Sequence, residues 1–462
     1  MSSTDFASLD LAPALVENLA ALGYHTMTPV QAEALPFLLA GRDLIAQAKT
    51  GSGKTATFGL GLLNRLDPKR FRVQSLILCP TRELADQVAG ELRRLARAVD
   101  NVKILTLCGG VPIGPQIGSL EHGVHAVVGT PGRIDDHLRK GTLNLDDATT
   151  LVLDEADRML EMGFLEIVEK ILACLPKPRQ TLLFSATWPD AIRLLAQRHM
   201  VDPETVTVDA THDAATIRQH FHQVADDSER LAALRRLLLA HRPESTLVFC
   251  NTKVDVDAVT KDLVAQGFAA LALHGDLDQR ARDQALVRFA NRSVSVLVCT
   301  DVAARGLDID DLDLVVNHQV ARDRDVHSHR IGRTGRAGSQ GRACTLFVAS
   351  EQHRIDRLPE HFSEAIPTEP LPPASVLNEP VFKPPMHCLQ IDGGRRQKLR
   401  PGDIVGALTR EGGIAADQIG KISVQDQCAY VAVQRAVAKQ ALAKLASGPL
   451  KGRSFKVRQI GS

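Results

Sequence analysis

Eight consecutive residues, Ala48-Lys49-Thr50-Gly51-Ser52-Gly53-Lys54-Thr55, have the composition and spacing to hold a phosphate chain. The glycines let backbone N–H groups turn toward phosphate oxygens, and a helix opening at the end of the run adds partial positive charge. Lys54 would reach the β- and γ-phosphates, and the Thr55 hydroxyl would hold Mg2+. Ala48 stands where the general pattern has Gly, a small departure; the bland reading is a structural turn without a ligand. Further along, Thr149-Thr150-Leu151-Val152-Leu153 runs into Asp154-Glu155-Ala156-Asp157. A strand ending in an acid puts Asp154 at the carboxyl edge of a sheet, where it can hold Mg2+ through water. Glu155 is then the group to orient and deprotonate an attacking water. Alone, this run could equally be an acidic helix start; beside a phosphate loop it points to nucleotide hydrolysis. The run His329-Arg330-Ile331-Gly332-Arg333-Thr334-Gly335-Arg336 adds two arginines three apart, which share a face if the run is helical. Arg333 and Arg336 could then point across a cleft at a γ-phosphate, where arginine raises rates by about 10³–10⁵. Alone, this octet would be a solvated basic helix.

These residues need a scaffold, and the chain has material for one. Its 462 residues suggest about three domains, and 44% apolar with 24% charged residues is ordinary globular composition. Disorder over most of the length is excluded by the apolar content. The runs Asp43–Ala48, Ser75–Cys79, Lys103–Leu107, His125–Val128, Thr150–Leu153 and Thr181–Phe184 are continuously apolar. Strands buried on both faces of a parallel sheet read this way. Amphipathic stretches such as Arg82–Ala98 lie between them, so residues 1–208 read as a doubly wound α/β domain. Residues 209–216 are small and polar, a linker. The pattern then restarts over 217–355 with Ser245–Cys250, Ala269–Leu273, Ser295–Cys299, Asp313–Asn317 and Ala343–Val348. Eight prolines between Pro359 and Pro385 make 356–384 an extended spacer. Residues 385–462 read strand–helix–strand–strand–helix–strand, the split βαβ plan. Its strands are His387–Ile391, Ile419–Val424, Ala429–Val433 and Phe455–Ile460, and its helices Gly402–Thr409 and Gln434–Leu445.

Eight scattered cysteines without a C-x-x-C pair read as buried reduced thiols, which suits a reducing cytosol. No apolar run is long enough for a membrane span, and the N-terminus lacks a signal-peptide pattern. A cytoplasmic location without a membrane partner is therefore expected. Nothing marks a dimer seam, so a monomer is expected.

With the wording Asp-Glu-Ala-Asp, the chain resembles the DEAD-box ATP-dependent RNA helicases over residues 1–350. Gly23-Tyr24-His25-Thr26-Met27-Thr28-Pro29-Val30-Gln31, with Phe6 upstream, resembles the family's Q motif. The Gln31 amide can donate and accept at once and so pair with an adenine edge, which implies ATP. Phe6 would stack on the base; its alternative is a local staple. Pro80-Thr81-Arg82-Glu83-Leu84, Gly109-Gly110 and Thr130-Pro131-Gly132-Arg133 resemble the family's RNA-contact motifs, offering hydroxyls, glycine amides and arginine to a phosphodiester backbone. Singly each could be a cap or a turn. Ser185-Ala186-Thr187 resembles the motif that couples hydrolysis to domain closure, and His329 shares that coupling role. Val248-Phe249-Cys250-Asn251-Thr252, His274-Gly275-Asp276-Leu277 and the stretch from Thr300-Asp301 through Arg305-Gly306-Leu307-Asp308 resemble motifs of the second domain. By resemblance Thr300 faces RNA and Asp308 the ribose. The family often has Tyr-Val before the histidine; here His327-Ser328 stands there. The resemblance implies two tandem RecA-like doubly wound parallel-sheet domains and a small α+β RRM-like domain. It also implies ATP turnover that depends on RNA, since the groups needed are split between two domains.

The formal net charge of +1 hides an asymmetry: residues 380–462 carry fourteen basic and five acidic side chains. Such a surface holds polyanions. An RRM stacks bases on aromatics of its central strands, but here only Tyr430 is available, so backbone and shape contacts to folded RNA are better supported. They are expected in the loops bearing Arg395, Arg396, Lys398, Arg400, Lys451 and Arg453. Ile391–Leu408 and Ile419–Ser423 resemble the C-terminal domain of the DbpA branch of the family. That resemblance implies a hairpin of large-subunit ribosomal RNA as partner, with an adjacent duplex as substrate, in 50S assembly intermediates. Two rival readings stay open: an ATP-gated RNA clamp or scaffold with little unwinding, and a DNA helicase on the same core.

Overall fold

A computed structural model describes residues 4–48, 51–208, 217–304, 312–335, 341–358, 368–410 and 413–461. They fall into two compact units, parted in the segment that follows residue 208. The first holds seven strands: β1 (Leu44–Gln47), β2 (Ser75–Leu78), β3 (Ile104–Leu107), β4 (Ala126–Gly129), β5 (Thr150–Leu153), β6 (Gln180–Ser185) and β7 (Glu204–Thr207). They form one sheet in the order β3-β4-β2-β5-β6-β1-β7. Every pairing is parallel. Two apolar cores flank it, one on each face, because the central strands bury both sets of side chains.

The second unit opens with β8 (Ile217–Val224), β9 (Thr246–Cys250), β10 (Ala270–Leu273), β11 (Val296–Thr300), β12 (Leu314–Asn317) and β13 (Gly341–Val348). Their order is β10-β11-β9-β12-β13-β8, again all parallel. The continuous apolar runs all become strands of these two sheets, the edge strands β3 and β10 among them. The sequence reading omits β7 and β8, and both are edge strands. With one neighbour each, they carry exposed polar residues and show no apolar run.

The same unit ends in an antiparallel sheet of β14 (Met386–Ile391), β15 (Ile419–Val424), β16 (Ala429–Gln434) and β17 (Val457–Gln459), in the order β15-β16-β14-β17. The helices Pro401–Thr409 and Ala438–Ser447 cover one face, over a core that includes Leu389, Ile391, Val431 and Val433. The second helix begins four residues later than Gln434, because β16 extends to that residue and a 3-10 turn, Arg435–Val437, intervenes. Alternation along the strands sends Cys388, Gln390 and Tyr430 to the other face, which is buried too. It lies on the helix Gln279–Ala290 and the turn after it. There Asn291 Nδ2 meets Cys388 Sγ at 3.3 Å, Gln284 Nε2 donates to Gln390 Oε1 at 3.4 Å, and Met386 N–H donates to the Arg292 carbonyl.

The proline-rich segment is described from 368 onward, and it is a strap rather than a free extended spacer. Thr368 bridges to Phe221, and a 3-10 turn spans Ala374–Asn378. Leu371, Val376, Val381 and Phe382 pack on the core of the second parallel sheet, with Phe382 edge-on to Phe268 at 5.9 Å. Arg236 Nε donates to the Pro372 carbonyl. Proline bars regular ladders but leaves its carbonyl and ring free for such contacts.

Candidate functional site

Parallel strands put all their carboxyl ends on one edge, and the candidate residues of the first unit collect there. Gly51 and Gly53 have φ of +81° and +96°, a conformation that keeps the phosphate loop open to glycine alone at little cost. Gly53 is the N-cap of the helix Lys54–Arg65 and supplies no side-chain cap, so the first N–H groups of that helix are free for an anion. Lys54 Nζ donates to the Ala48 carbonyl at 2.8 Å, which folds the side chain back over its own loop. Ala48 N–H is tied to the Ser185 carbonyl. Ser52 and Thr55 sit half-buried at the mouth of the loop; Lys49 and Thr50 lie outside the described residues.

Gln31 is 1% exposed. Its Oε1 accepts from Thr28 N–H at 2.9 Å, and its Nε2 donates to the Gly53 carbonyl at 3.3 Å. A Cβ at Gly53 would stand 2.7 Å from Gln31 Nε2, so the loop and the amide are in close contact. One N–H and one lone pair of that amide remain for a base edge. Phe6 is 3% exposed within the first core, the placement of a local staple; little of its ring is left for stacking on a base.

Asp154 is 3% exposed, and its Oδ1 is buried without a hydrogen-bond partner among the described residues. Burial pushes its pKa up to about 7, against the pull of Lys54 and with the push of Glu155. An orphaned buried carboxylate oxygen at this edge is a fit for a hard cation. Glu155 has φ +53°, a left-handed conformation that costs a non-glycine residue about 1 kcal/mol or more. Asp157, which the sequence reading assigns no role, grips the Ser185–Thr187 segment. Its Oδ2 accepts from Ala186 N–H (3.1 Å), Thr187 N–H (2.8 Å) and Thr187 Oγ1 (2.9 Å). Ser185 Oγ in turn donates to the Thr187 carbonyl. A third carboxylate within the four-residue acidic run was the available signal.

The RNA-contact candidates lie along the same edge. Pro80 is buried, and Thr81 caps the helix Arg82–Leu95, accepting from Leu84 N–H. Gly110 (φ +73°) lies against the Arg82 guanidinium, where a Cβ would clash. Thr130 is the N-cap of the helix Pro131–Arg139. Arg133 donates to Gln116 Oε1 (2.6 Å) and to the Val111 carbonyl (3.0 Å), so two of its five N–H groups are already used.

In the second unit, Thr300 ends β11 and His329 lies on the helix Arg324–Ile331. That helix stops at Ile331, with Gly332 as its C-cap. The shared helical face expected for Arg333 and Arg336 is therefore corrected: Arg333 sits in the turn beyond the helix, because Gly332 ends it. Asp308 and Arg336 lie outside the described residues. Arg330 organises this edge. It is 1% exposed, doubly bonded to Asp301, and also donates to Asn251 Oδ1 and the Gln319 carbonyl. Sequence pattern alone left it as one more base in a basic run.

In the antiparallel domain, Tyr430 is 1% exposed on the face seated on the helix Gln279–Ala290. Its expected RNA contact is corrected: the ring offers no free face, and its burial raises its pKa well above the usual phenol value. The loops holding Arg395, Arg396, Lys398, Arg400, Lys451 and Arg453 do meet. Lys451 Nζ donates to the Lys398 carbonyl at 2.9 Å, and all six side chains are exposed. Phe455, overlooked in the sequence, packs its half-buried ring on Gly393 beside them.

Comparison with known families and proteins follows this division. The DEAD/DEAH box helicase model matches residues 28–195, the helicase conserved C-terminal domain 229–338, and the DbpA RNA binding domain 388–459. The chain is 52% identical over 99% of its length to the whole of the ATP-dependent RNA helicase DbpA of Escherichia coli. It is 45% identical over 77% of its length to the helicase CshA of Bacillus cereus, of which it covers 67%. Among solved structures, S. cerevisiae Dbp5 bound to RNA and ADP BeF3 is similar at a TM-score of 0.72 and 30% identity, over 80% of this chain and 96% of that one.

Proposed function

We propose, from the premise that this chain belongs to the DEAD-box ATP-dependent RNA helicases and is of the DbpA type, that it unwinds short duplexes in large-subunit ribosomal RNA during 50S assembly. The exposed basic loops around Lys398 and Lys451 address it to a ribosomal hairpin and the duplex beside it, within 50S intermediates. It works in the cytoplasm as a monomer; no helix among the described residues is long and apolar enough to cross a membrane.

ATP binds with its phosphates over Ala48–Thr55, where Lys54 leaves the Ala48 carbonyl for the β/γ-phosphates. Gln31 reads the adenine with its remaining N–H and lone pair. Thr55 and Asp154 hold Mg2+, which when bound supplies charge neutralisation on the phosphate oxygens. Glu155 takes the proton of the attacking water. Arg333 and Arg336 stabilise charge at the γ-phosphate, Asp308 holds the ribose, and Ser185, Thr187 and His329 couple turnover to RNA. Thr81, Arg82, Gly110, Thr130, Arg133 and Thr300 hold the RNA backbone.

The observation that carries this reading is the phosphate loop facing a buried, unpartnered Asp154 oxygen, in a chain that also ends in two converging basic loops. The test is ATPase stimulation by large-subunit ribosomal RNA against unrelated RNA of equal length. A marked preference for the ribosomal RNA is expected. Equal stimulation would remove the ribosomal address, and no stimulation by any RNA would remove the coupled mechanism.

A further inference from the structure

The opposite edge of the first sheet also carries a cavity, of about 640 Å³, far from the phosphate loop because parallel strands separate the two edges. Its floor is apolar, built by Val73, Val124 and Leu143. Its rim is the basic-aromatic run Lys69-Arg70-Phe71-Arg72, separated from β2 by Val73 and Gln74.

That run is held firmly. The Gln74 side chain accepts from Asp67 N–H and donates to the Asp67 and Arg70 carbonyls, all within 2.9 Å. Asp67 Oδ1 accepts from Lys69 N–H. Gly123 (φ +76°) lets the chain at Phe71 pass against it, since a Cβ there would stand 2.8 Å from the Phe71 carbonyl. The Phe71 ring packs at a tilt against the buried His125 ring, centroids 4.7 Å apart, and Lys103 Nζ lies 4.9 Å from the Phe71 ring centre. Arg70 is paired with Asp147, and Glu121 adds an acid to the rim, but Lys69, Arg72 and Lys103 stay exposed. A loop braced this tightly presents cations and a ring in fixed positions, the combination that holds nucleotides through phosphate and base together.

We propose that the first unit carries a second RNA-binding site in this cavity, taking an unpaired nucleotide with its base against Phe71 and its phosphates on Lys69 and Arg72. The proposal rests on RNA being the substrate, and it needs no ribosomal preference. A long strand engaged at the catalytic edge would reach around to this site; a short one would not.

The experiment uses the full chain and fluorescence anisotropy. Oligouridylate of about 40 nucleotides is compared with one of about 8, since a single binding groove spans about 4–16 nucleotides. In the Lys69→Glu/Arg72→Glu variant, the long strand is expected to bind about tenfold more weakly, with a salt slope smaller by about 1.4 for two lost phosphate contacts. Affinity for the short strand and the ATPase it stimulates should be unchanged. Phe71→Ala should weaken the long strand by about fivefold or more through lost stacking. Unchanged long-strand affinity and salt slope in the charge variant would overturn the site. Displacement of the long strand by uridine monophosphate at equal concentration would also overturn it, making the cavity a free-nucleotide site. Loss of RNA-stimulated turnover in the unaltered protein would instead count against the proposed function.

Discussion

Glu155 occupies a backbone conformation that few side chains adopt, immediately after a carboxylate whose burial holds its pKa near 7. Strain retained at one residue of an otherwise regular sheet edge marks a position where direction matters more than local stability. Glu155→Gln keeps the length and hydrogen-bonding capacity of the side chain but removes the proposed base. Single-turnover hydrolysis is expected to fall by about 10²–10⁴ with ATP and RNA affinity retained, read by quench-flow and anisotropy. Lys54→Ala is a blunter change, expected to lose nucleotide binding and turnover together. Residue types single out the candidate phosphate loop and acid pair because the chemistry they suggest is local. The grip of Asp157 on Thr187 joins residues 30 apart, so no spacing rule exposes it. The same holds for Arg330, whose value comes from Asp301, Asn251 and Gln319, scattered over the second unit.

Among the elements, strands with a continuous apolar run were legible, the edge strands β3 and β10 included, while β7 and β8 were not. Burial on both faces writes a continuous apolar run, whereas β7 and β8 mix exposed polar residues into theirs. The split βαβ order was legible from its turns and periodicity. That both faces of its sheet are covered was not, because Cys388, Gln390 and Tyr430 look like an exposed polar stripe in sequence. Tyr430→Ala should therefore act on folding. The melting temperature is expected to fall, in line with about 3–5 kcal/mol for removing a buried aromatic. Hairpin affinity of the folded protein, measured by anisotropy, should stay within about twofold. A large loss of affinity without loss of stability would return Tyr430 to the RNA surface.

For the whole molecule, acid should strike the second unit first. Burial depresses the pKa of His222, His241, His318, His327 and His387, with His241, His318 and His327 down to about 4. The unfolded chain takes up protons near pH 6.5 while the folded unit resists them. Stability is therefore full above about pH 6.5 and falls as the pH drops toward 4. In the first unit, His137 and His199 act in that direction, but the raised Asp154 opposes them. Calorimetry at pH 5.5 against 7.5 should show the second unit melting several degrees lower and the first changing less. The strap, packed along the second parallel sheet, and the seat on helix Gln279–Ala290 have one more consequence. An anchor on a loose leash would let the motor sample many neighbouring helices. If the anchor holds the proposed hairpin, being bolted to half of the motor makes it a ruler: a duplex would be chosen by its distance and bearing from that hairpin, and sliding it along the RNA by a few base pairs should silence the enzyme.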